Sequence, residues 1–278
     1  MEAYTDFASV YDTFMDETPY EEWAEFLHEL IKEYGISKPN CKDKEDAKEK
    51  QATEQDALDS EKNLVLDLGC GTGTLTELLY RKGYDMIGVD FSQEMLNIAL
   101  AKKEKSGSDI LYLCQDMREL DLYSTIGTVI SACDSVNYLL EEEEIIETFR
   151  LVNNYLYPGG VFIFDFNTVY KYEQVIGDTT IAENREDCSF IWDNFYHEEE
   201  CINEYDLTIF VKEGKEGLFR KFTETHYQRG YTLEEIKSFV KKAGLEFVKA
   251  IDADTHKAPK ATSERIYIIA REQGKKSV

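Results

Sequence analysis

The sequence lacks the features that mark several large classes of protein. It has no apolar run long enough to cross a bilayer, and its opening Met-Glu-Ala-Tyr does not resemble a secretory signal. Its six cysteines are scattered and none forms a Cys-x-x-Cys pair. We therefore expect reduced, mostly buried thiols in a cytoplasmic protein, with no membrane segment and no zinc or other metal site.

Positive charge is also scarce. The chain has 31 lysines and arginines against 56 acidic residues, which gives a formal net charge of -25. Nucleic acids and anionic lipids are bound through clustered positive charge, and the sequence has no extended run of lysine and arginine. The composition therefore predicts no nucleic-acid or membrane partner. A hydrophobic content of 42% is enough to build a folded core.

The stretch from Leu64 to Gly73 carries the strongest signal that is present. Its first residues, Leu-Val-Leu-Asp-Leu, predict a strand buried on both faces, as in a parallel sheet. Glycines then follow at alternate positions, Gly69, Gly71 and Gly73, and predict a sharp turn that lets a ligand approach the backbone. The next leucines recur at helical spacing. A strand, a glycine turn and a helix in this order are typical of a nucleotide-cofactor site.

Glycine spacing and nearby acids separate two classes of cofactor. The dinucleotide fingerprint Gly-x-Gly-x-x-Gly would place its third glycine one residue after Gly73. Asp67 would repel a pyrophosphate, whereas it suits the positive charges of S-adenosylmethionine. A second predicted strand ends at Asp90, about 20 residues beyond the turn, where a carboxylate binds ribose hydroxyls. Ser92 is expected to cap the helix that follows.

Two motifs, Val-Leu-Asp-Leu-Gly-Cys-Gly-Thr-Gly and Val-Asp-Phe-Ser-Gln-Glu-Met-Leu, resemble the leading motifs of class I S-adenosylmethionine-dependent methyltransferases. The alternative is a buried strand followed by a purely structural glycine turn, and the correct separation of both motifs disfavours it. The resemblance implies an α/β, Rossmann-like fold with a seven-stranded, mostly parallel sheet and helices on both faces. It implies S-adenosyl-L-methionine as the cofactor.

A closer resemblance covers nearly the whole chain. The segments that carry it are Phe-Ala-Ser-Val-Tyr-Asp, Asp-Met-Arg-Glu-Leu, Cys-Asp-Ser-Val-Asn-Tyr-Leu, Glu-Thr-His-Tyr-Gln-Arg and Ser-Glu-Arg-Ile-Tyr, and together they resemble the YqeM-type methyltransferases of Gram-positive bacteria. The family also resembles sugar-amine and related small-molecule N-methyltransferases in the placement of its lid. The opening Phe-Ala-Ser-Val-Tyr-Asp resembles that of small-molecule methyltransferases whose N-terminal helices cover the cofactor. The charged stretch from Lys38 to Lys62 departs from the pattern, and we interpret it as a solvated insertion without a catalytic role.

These patterns divide the chain into four regions. Between 167 and 228 the alternation of helix and strand stops, and aromatic and β-branched segments predict an inserted antiparallel sheet that acts as a lid. The expected regions are an N-terminal helical cover (1–37), a charged flexible insertion (38–62), a cofactor-binding domain (63–166 and 229–278) and the lid (167–228).

Local signals predict the strands and turns within these regions. The lid strands are expected at 189–196, 204–212 and 218–227, and Gly214 and Gly217 suit a hairpin turn between the last two. Pro158-Gly159-Gly160 predicts a turn that precedes a fifth strand at 161–166 of the main sheet.

The resemblance also implies which residues bind the cofactor. Asp116 and Met117 follow the third predicted strand, where this fold places the adenine ring, although Asp116 could instead be a helix cap. A tyrosine at the position of Tyr11 approaches the methionine end in related enzymes. The expected cofactor-binding residues are Tyr11, Asp67, Gly69, Cys70, Gly71, Gly73, Asp90, Phe91, Met95, Gln115, Asp116, Met117, Cys133 and Asp134.

Two polar side chains are candidates for catalysis. Tyr138 follows the fourth predicted strand, at the edge where ligands of open α/β sheets bind, and is otherwise a capping or core tyrosine. Glu224, His226 and Gln228 alternate along a predicted lid strand and therefore share one face. His226 is a candidate base, and the alternative is a packed or surface histidine.

The acceptor is the least determined part of the prediction. The sequence lacks the Asn-Pro-Pro-Tyr motif of enzymes that methylate base amines and the Pro-Cys nucleophile used on pyrimidine carbon. It therefore favours direct displacement of the methyl group by a nitrogen or oxygen of a small molecule. The alternatives are a tRNA or protein methyltransferase and a non-catalytic cofactor-binding scaffold. Neither the acceptor's identity nor the oligomeric state can be read from the sequence.

Overall fold

The computed structural model describes residue 4 and residues 7–40, 60–214 and 217–275. Most of the predicted insertion, with Cys41, lies outside these described residues. Within these residues, the α-helices whose two ends are described are α1 (Ala8–Phe14), α2 (Tyr20–Tyr34), α3 (Thr74–Arg81), α4 (Gln93–Ser106), α5 (Glu142–Tyr155) and α6 (Leu233–Lys242). Residues 60–63 are also helical. The strands are β1 (Leu64–Leu68), β2 (Asp85–Asp90), β3 (Leu111–Cys114), β4 (Ile126–Ser131), β5 (Leu156–Asn167), β6 (Thr180–Asn184), β7 (Cys188–His197), β8 (Ile202–Glu213), β9 (Leu218–Arg229), β10 (Glu246–Asp252) and β11 (Arg265–Arg271).

Seven strands form the larger sheet, in the order β10-β11-β5-β4-β1-β2-β3. Strands β1 to β5 pair in parallel, and β11 is antiparallel to both of its neighbours. The strand order reverses at β1 and β4, so the carboxyl ends of these central strands form the crevice where α/β folds bind ligands. The predicted seven-stranded, mostly parallel sheet is confirmed.

Helices cover both faces of this sheet because successive side chains of a strand point to opposite sides. On β1, Leu66 belongs to a buried cluster with residues of α5 and α6, such as Phe149 and Phe239. Its neighbour Val65 belongs to a second cluster with residues of α2 and α3, such as Leu27. The predicted strand, apolar except for Asp67, is therefore buried on both faces.

The region predicted to form a lid contains a separate antiparallel sheet of four strands, in the order β6-β7-β8-β9, which we refer to as the lid. Strands β7, β8 and β9 contain the three predicted segments and extend beyond their ends. Strand β6 was not predicted, because its residues, Thr-Ile-Ala-Glu-Asn, are mostly exposed and show no apolar alternation. Gly214 and Gly217 both adopt positive φ between β8 and β9, as the predicted turn requires.

Two expectations about local structure were wrong. Pro158-Gly159-Gly160 does not precede the fifth strand but forms a bulge within β5: Ile126 pairs with Leu156, whereas Thr128 already pairs with Val161. The thiols are not mostly buried. Of the five cysteines that the structure describes, all are free, only Cys188 is buried, and Cys114 is exposed.

Two further observations concern the membrane and metals. Over the described ranges, no helix combines the length and apolarity needed to cross a bilayer. Among the same residues, no group of three or more His, Cys, Asp and Glu side chains is placed to hold a metal ion.

A core substitution tests this packing. Phe149 is fully buried, and its ring centroid lies 5.3 Å from that of Phe162 and 4.8 Å from that of Phe164. We expect Phe149→Ala to lower the free energy of unfolding by about 3–5 kcal/mol, because it leaves a cavity between α5 and β5. Urea unfolding measures the loss. The control Tyr123→Ala removes a fully exposed ring and should change stability by less than about 0.5 kcal/mol.

Candidate cofactor and methyl-transfer site

The glycine turn after β1 combines packing with an opening for a ligand. Gly69, Gly71 and Gly73 have φ of 83°, 54° and 73°, in the region that favours glycine. A Cβ at Gly69 would lie 2.6 Å from Ser135 Oγ, and one at Gly73 would lie 2.4 Å from Tyr112 Oη. A Cβ at Gly71 would meet nothing within 4 Å. Gly71 therefore faces open space in which a ligand can approach the backbone. At Gly69 and Gly73 the lack of a side chain avoids clashes with Ser135 and Tyr112.

Asp90, at the end of β2, fixes this turn. The backbone N–H of Gly71 donates to its Oδ2 at 2.8 Å, and that of Ser92 donates to its Oδ1 at 2.9 Å. Burial raises the pKa of Asp90, and the backbone donors oppose that rise. Ser92 caps α4, since its Oγ accepts from Met95 N, as predicted. Asp90 thus holds the glycine turn and the start of α4 around one carboxylate.

Asp67, on β1, is a second buried acid beside the turn. It is 2% exposed, and Thr76 Oγ1 donates to its Oδ2 at 2.6 Å. Burial raises the pKa of Asp67 to about 7; the bond from Thr76 opposes the rise, and the charge of Asp90 adds to it. A carboxyl in this state ionises most readily when a cation binds next to it.

These residues line a cavity of about 230 Å³. Every predicted cofactor-binding residue except Gly73 and Asp134 contributes to its wall. The predicted Tyr138 also lines it, together with Tyr4 and Tyr20, which the sequence did not single out as site residues. The sequence feature that could have indicated them is the high aromatic content of the N-terminal segment, by which we mean Tyr4 and residues 7–20. Aromatic side chains at these positions are equally consistent with packing against the rest of the protein.

The adenine-side prediction meets a competing structural role. Asp116 lines the cavity, but its Oδ1 also accepts from Arg118 N at 2.9 Å, so it caps the 3-10 turn Met117–Glu119. The carboxylate also pairs with the guanidinium of Arg118. Asp116 is therefore a helix cap, as the alternative prediction held, and at the same time it lines the cavity.

The edge of the cavity after β4 is held in an unusual backbone conformation. Cys133 and Asp134 are not glycines, yet their φ values are 64° and 55°. Both donate their backbone N–H to the fully buried Asp165, at 3.1 and 2.8 Å. The Asp134 side chain accepts from Gln228 Nε2 of the lid at 2.7 Å. Asp134 therefore ties the lid to the main sheet and does not line the cavity.

The two candidate catalytic residues lie together. Tyr138 Oη is 3.1 Å from His226 Nδ1, and 2.7 Å from both Tyr4 Oη and Tyr205 Oη. The His226 ring stacks on Tyr205 and is 2% exposed. Burial raises the pKa of Tyr138 well above its usual value, which keeps the phenol neutral. Tyr138 lines the cavity, and His226 is reached from the cavity through it.

The N-terminal segment covers the cavity from outside the main sheet. Tyr11 of α1 lines it, and the neighbouring Asp12 accepts from Thr72 Oγ1 at 2.6 Å. The Asp12 carboxylate also pairs with Lys102 Nζ at 2.7 Å. These contacts join α1 to the glycine turn and to α4.

Known proteins match both the sequence and this architecture. Residues 65–160 match a family model described as a methyltransferase domain. The chain is 34% identical to YqeM of Bacillus subtilis (strain 168), named as a candidate methyltransferase, over 96% of each protein. An S-adenosylmethionine-dependent methyltransferase of Clostridium acetobutylicum is 28% identical, with a TM-score of 0.80 over 98% of this chain and all of that one. CalS10 of Micromonospora echinaspora, at 18% identity and a TM-score of 0.67 over 98% of this chain and 99% of that one, shares the fold.

The fold, the cavity and these matches together define a class I S-adenosylmethionine-dependent methyltransferase. The chain belongs to the YqeM family. The buried acids around Gly71 fit this cofactor, because the open approach to the backbone leaves room for it and the carboxylates attract its positive charge.

Asp67→Asn tests the charge at this site. Below pH 7 Asp67 is largely protonated without the cofactor, and a bound cation requires its ionised form. We expect affinity for S-adenosylmethionine to rise by up to about tenfold per pH unit from pH 5 to 7, with release of a proton. Asp67→Asn should bind more weakly and lose this dependence. Calorimetry in buffers of different ionisation enthalpy measures both effects, and the exposed Asp254→Asn serves as the control.

Folding stability gives an independent check on the same group. The folded pKa of Asp67 lies above its unfolded value of about 4, so the unfolded chain releases this proton first as the pH rises. The contribution of Asp67 to the free energy of unfolding should therefore fall between about pH 4 and 7. Asp67→Asn should remove that fall, and an unchanged slope would show that Asp67 has an ordinary pKa.

Proposed function

We propose that this enzyme transfers the methyl group of S-adenosylmethionine to a nitrogen or oxygen atom of a small-molecule acceptor. The observation that carries the proposal is the contact of Tyr138, in the cavity wall, with the buried His226 behind it. The cofactor supplies a methyl group on a positively charged sulfur. The acceptor forms its bond to that methyl as the carbon–sulfur bond breaks, and it loses a proton.

The chain's own residues can hold the cofactor in the orientation that such a transfer needs. Asp90 lies at the end of β2 beside Gly71, where a carboxylate can accept from ribose hydroxyls. Asp67 provides negative charge for the amino group or the sulfonium. Met117 and Asp116 line the part of the cavity assigned to the adenine ring. Alignment of the two reactants is the main contribution a protein makes to such a reaction.

Tyr138 and His226 can take up the acceptor's proton in two linked transfers. Because burial keeps the Tyr138 phenol neutral, it cannot serve as a preformed phenolate base. Its hydroxyl has one proton and two lone pairs, and Tyr4 Oη and Tyr205 Oη both lie 2.7 Å away, so the acceptor has to take the place of one of these two tyrosines. Tyr138 can then accept a proton from the acceptor while passing its own proton to His226 Nδ1, 3.1 Å away. His226 is then the final base, and Tyr138 is the group that touches the acceptor.

The surroundings of the cavity favour a small acceptor over tRNA or a protein. Tyr4, Tyr11 and Tyr20 cover the cavity, so a bulky polymer would have to displace the N-terminal segment. The net charge of -25 opposes association with RNA. We also propose a cytoplasmic location, since all five described cysteines are free thiols, as in reducing compartments.

Label transfer identifies the acceptor and tests the two residues. The enzyme is incubated with methyl-labelled S-adenosylmethionine and a cell extract separated into metabolite, RNA and protein fractions. We expect label in the metabolite fraction. Tyr138→Phe and His226→Gln should each slow transfer by about 10²–10⁴-fold, because proton removal fails. His197→Gln, at the exposed histidine of the lid, is the control.

Two results of that experiment would contradict the proposal. Label confined to the RNA or protein fraction would exclude a small-molecule acceptor. Full transfer by both Tyr138→Phe and His226→Gln, with unchanged binding of S-adenosylmethionine by calorimetry, would exclude the proton path.

A further inference from the structure

Glu224, on the lid strand β9, holds the backbone of the N-terminal segment. Its side chain is buried, with the residue 5% exposed. The backbone N–H of Tyr4 donates to Oε2 at 2.9 Å, and that of Phe7 donates to Oε1 at 3.0 Å. One carboxylate therefore binds two backbone groups more than 200 residues away in sequence. Hydrogen bonds of this charge-assisted kind are stronger than neutral ones.

The segment held in this way closes the cavity. Tyr4 lines it, and the Tyr4 carbonyl accepts from Ser92 Oγ at 2.8 Å, at the start of α4. The chain at Tyr4 is thus bound on one side to the main sheet's helix and on the other to the lid. Without Glu224, Tyr4 and Phe7 would lose the two backbone hydrogen bonds that attach them to the lid.

The same carboxylate faces the candidate base. Glu224 Oε2 lies 3.3 Å from His226 Nε2, without the alignment of a hydrogen bond. A ring nitrogen that faces a carboxylate is more stable with a proton than with a lone pair. In the neutral ring the proton is therefore favoured on Nε2, which leaves Nδ1 as the acceptor toward Tyr138.

We propose that Glu224 is a positioning residue that couples closure of the N-terminal segment to the choice of which ring nitrogen of His226 carries the proton. When the segment is bound, its two N–H groups fix the carboxylate, and the fixed carboxylate sets which nitrogen of His226 accepts. The second half of this inference rests on the proposed function of His226. The first half, the closure, does not.

The lid provides a matched control for Glu224. Glu204, on β8, also contacts a histidine: its Oε2 lies 2.9 Å from His197 Nε2. This pair is partly exposed, whereas both His226 and Glu224 are buried. Glu204→Gln therefore removes a carboxylate from a histidine of the same sheet without touching the cavity.

Hydrogen exchange measured by mass spectrometry tests the closure. In Glu224→Gln, exchange of the amides of Tyr4 and Phe7 should be about 10- to 100-fold faster than in the unchanged protein, because both charge-assisted bonds are weakened. In Glu204→Gln it should be unchanged. Equal protection in all three proteins would overturn the proposal. Circular dichroism confirms that the variants are folded.

Two substitutions of Phe7, whose N–H donates to Glu224, test the same hydrogen bond without changing Glu224. The φ of Phe7 is -61°, which proline can adopt. Phe7→Pro removes the N–H and the ring, whereas Phe7→Ala removes the ring alone. We expect faster exchange at Tyr4 in Phe7→Pro than in Phe7→Ala. Identical exchange in these two variants would show that the N–H contributes nothing to closure.

Nitrogen-15 NMR tests the coupling to His226. In the unchanged protein the ring shifts should show a protonated Nε2 and an unprotonated Nδ1, and His226→Gln assigns the signals. Glu224→Gln should move both shifts toward a mixture of tautomers, and Glu204→Gln should not. Unmoved shifts in Glu224→Gln would overturn the coupling. Neither readout needs an acceptor, so this failure is distinct from a failure of the label-transfer experiment.

Discussion

The site depends on one kind of interaction, the binding of two backbone N–H groups by a single buried carboxylate. It occurs three times around the cavity among the described residues, and each instance holds a different wall. One carboxylate binds the glycine turn, and a second binds Cys133 and Asp134, the two residues with positive φ after β4. A third binds Tyr4 and Phe7 of the N-terminal segment. The three carboxylates belong to Asp90, Asp165 and Glu224.

This arrangement explains why an acidic protein can build a cavity for a cationic donor. Burial of a carboxylate costs free energy unless hydrogen bonds replace its hydration, and backbone N–H groups do so without neutralising its charge. Asp90 can therefore hold a negative charge beside the glycine turn, whereas Asp165 also faces the guanidinium of Arg265 at 3.6 Å. Asp67, which has a single donor in Thr76, is the least compensated of the acids at the turn, and its raised pKa follows from that. A sulfonium supplies the missing positive charge.

Sequence reasoning succeeded where structure is local. The strand Leu64–Leu68 and the Ser92 cap follow from a few adjacent residues, and both were predicted. The bulge in β5 was missed because it depends on the register with β4, which no local pattern encodes. The alternation along β9 placed Glu224 beside His226, but its bonds to Tyr4 and Phe7 span the whole chain. No periodicity in the sequence could have shown that a lid residue binds the N-terminal backbone.

Attachment through the backbone has a consequence for specificity. A carboxylate that binds N–H groups does not depend on which side chains the bound segment carries. The Glu224 contacts therefore close the cavity while the rings of Tyr4 and Tyr11 remain directed at its interior. A substitution of either side chain therefore leaves the two backbone hydrogen bonds to Glu224 in place, although a change of Tyr4 removes its Oη contact with Tyr138. The backbone contacts and the aromatic rings thus act separately: the backbone contacts hold Tyr4 and Phe7 against the lid sheet, and the rings of Tyr4 and Tyr11 form part of the cavity wall.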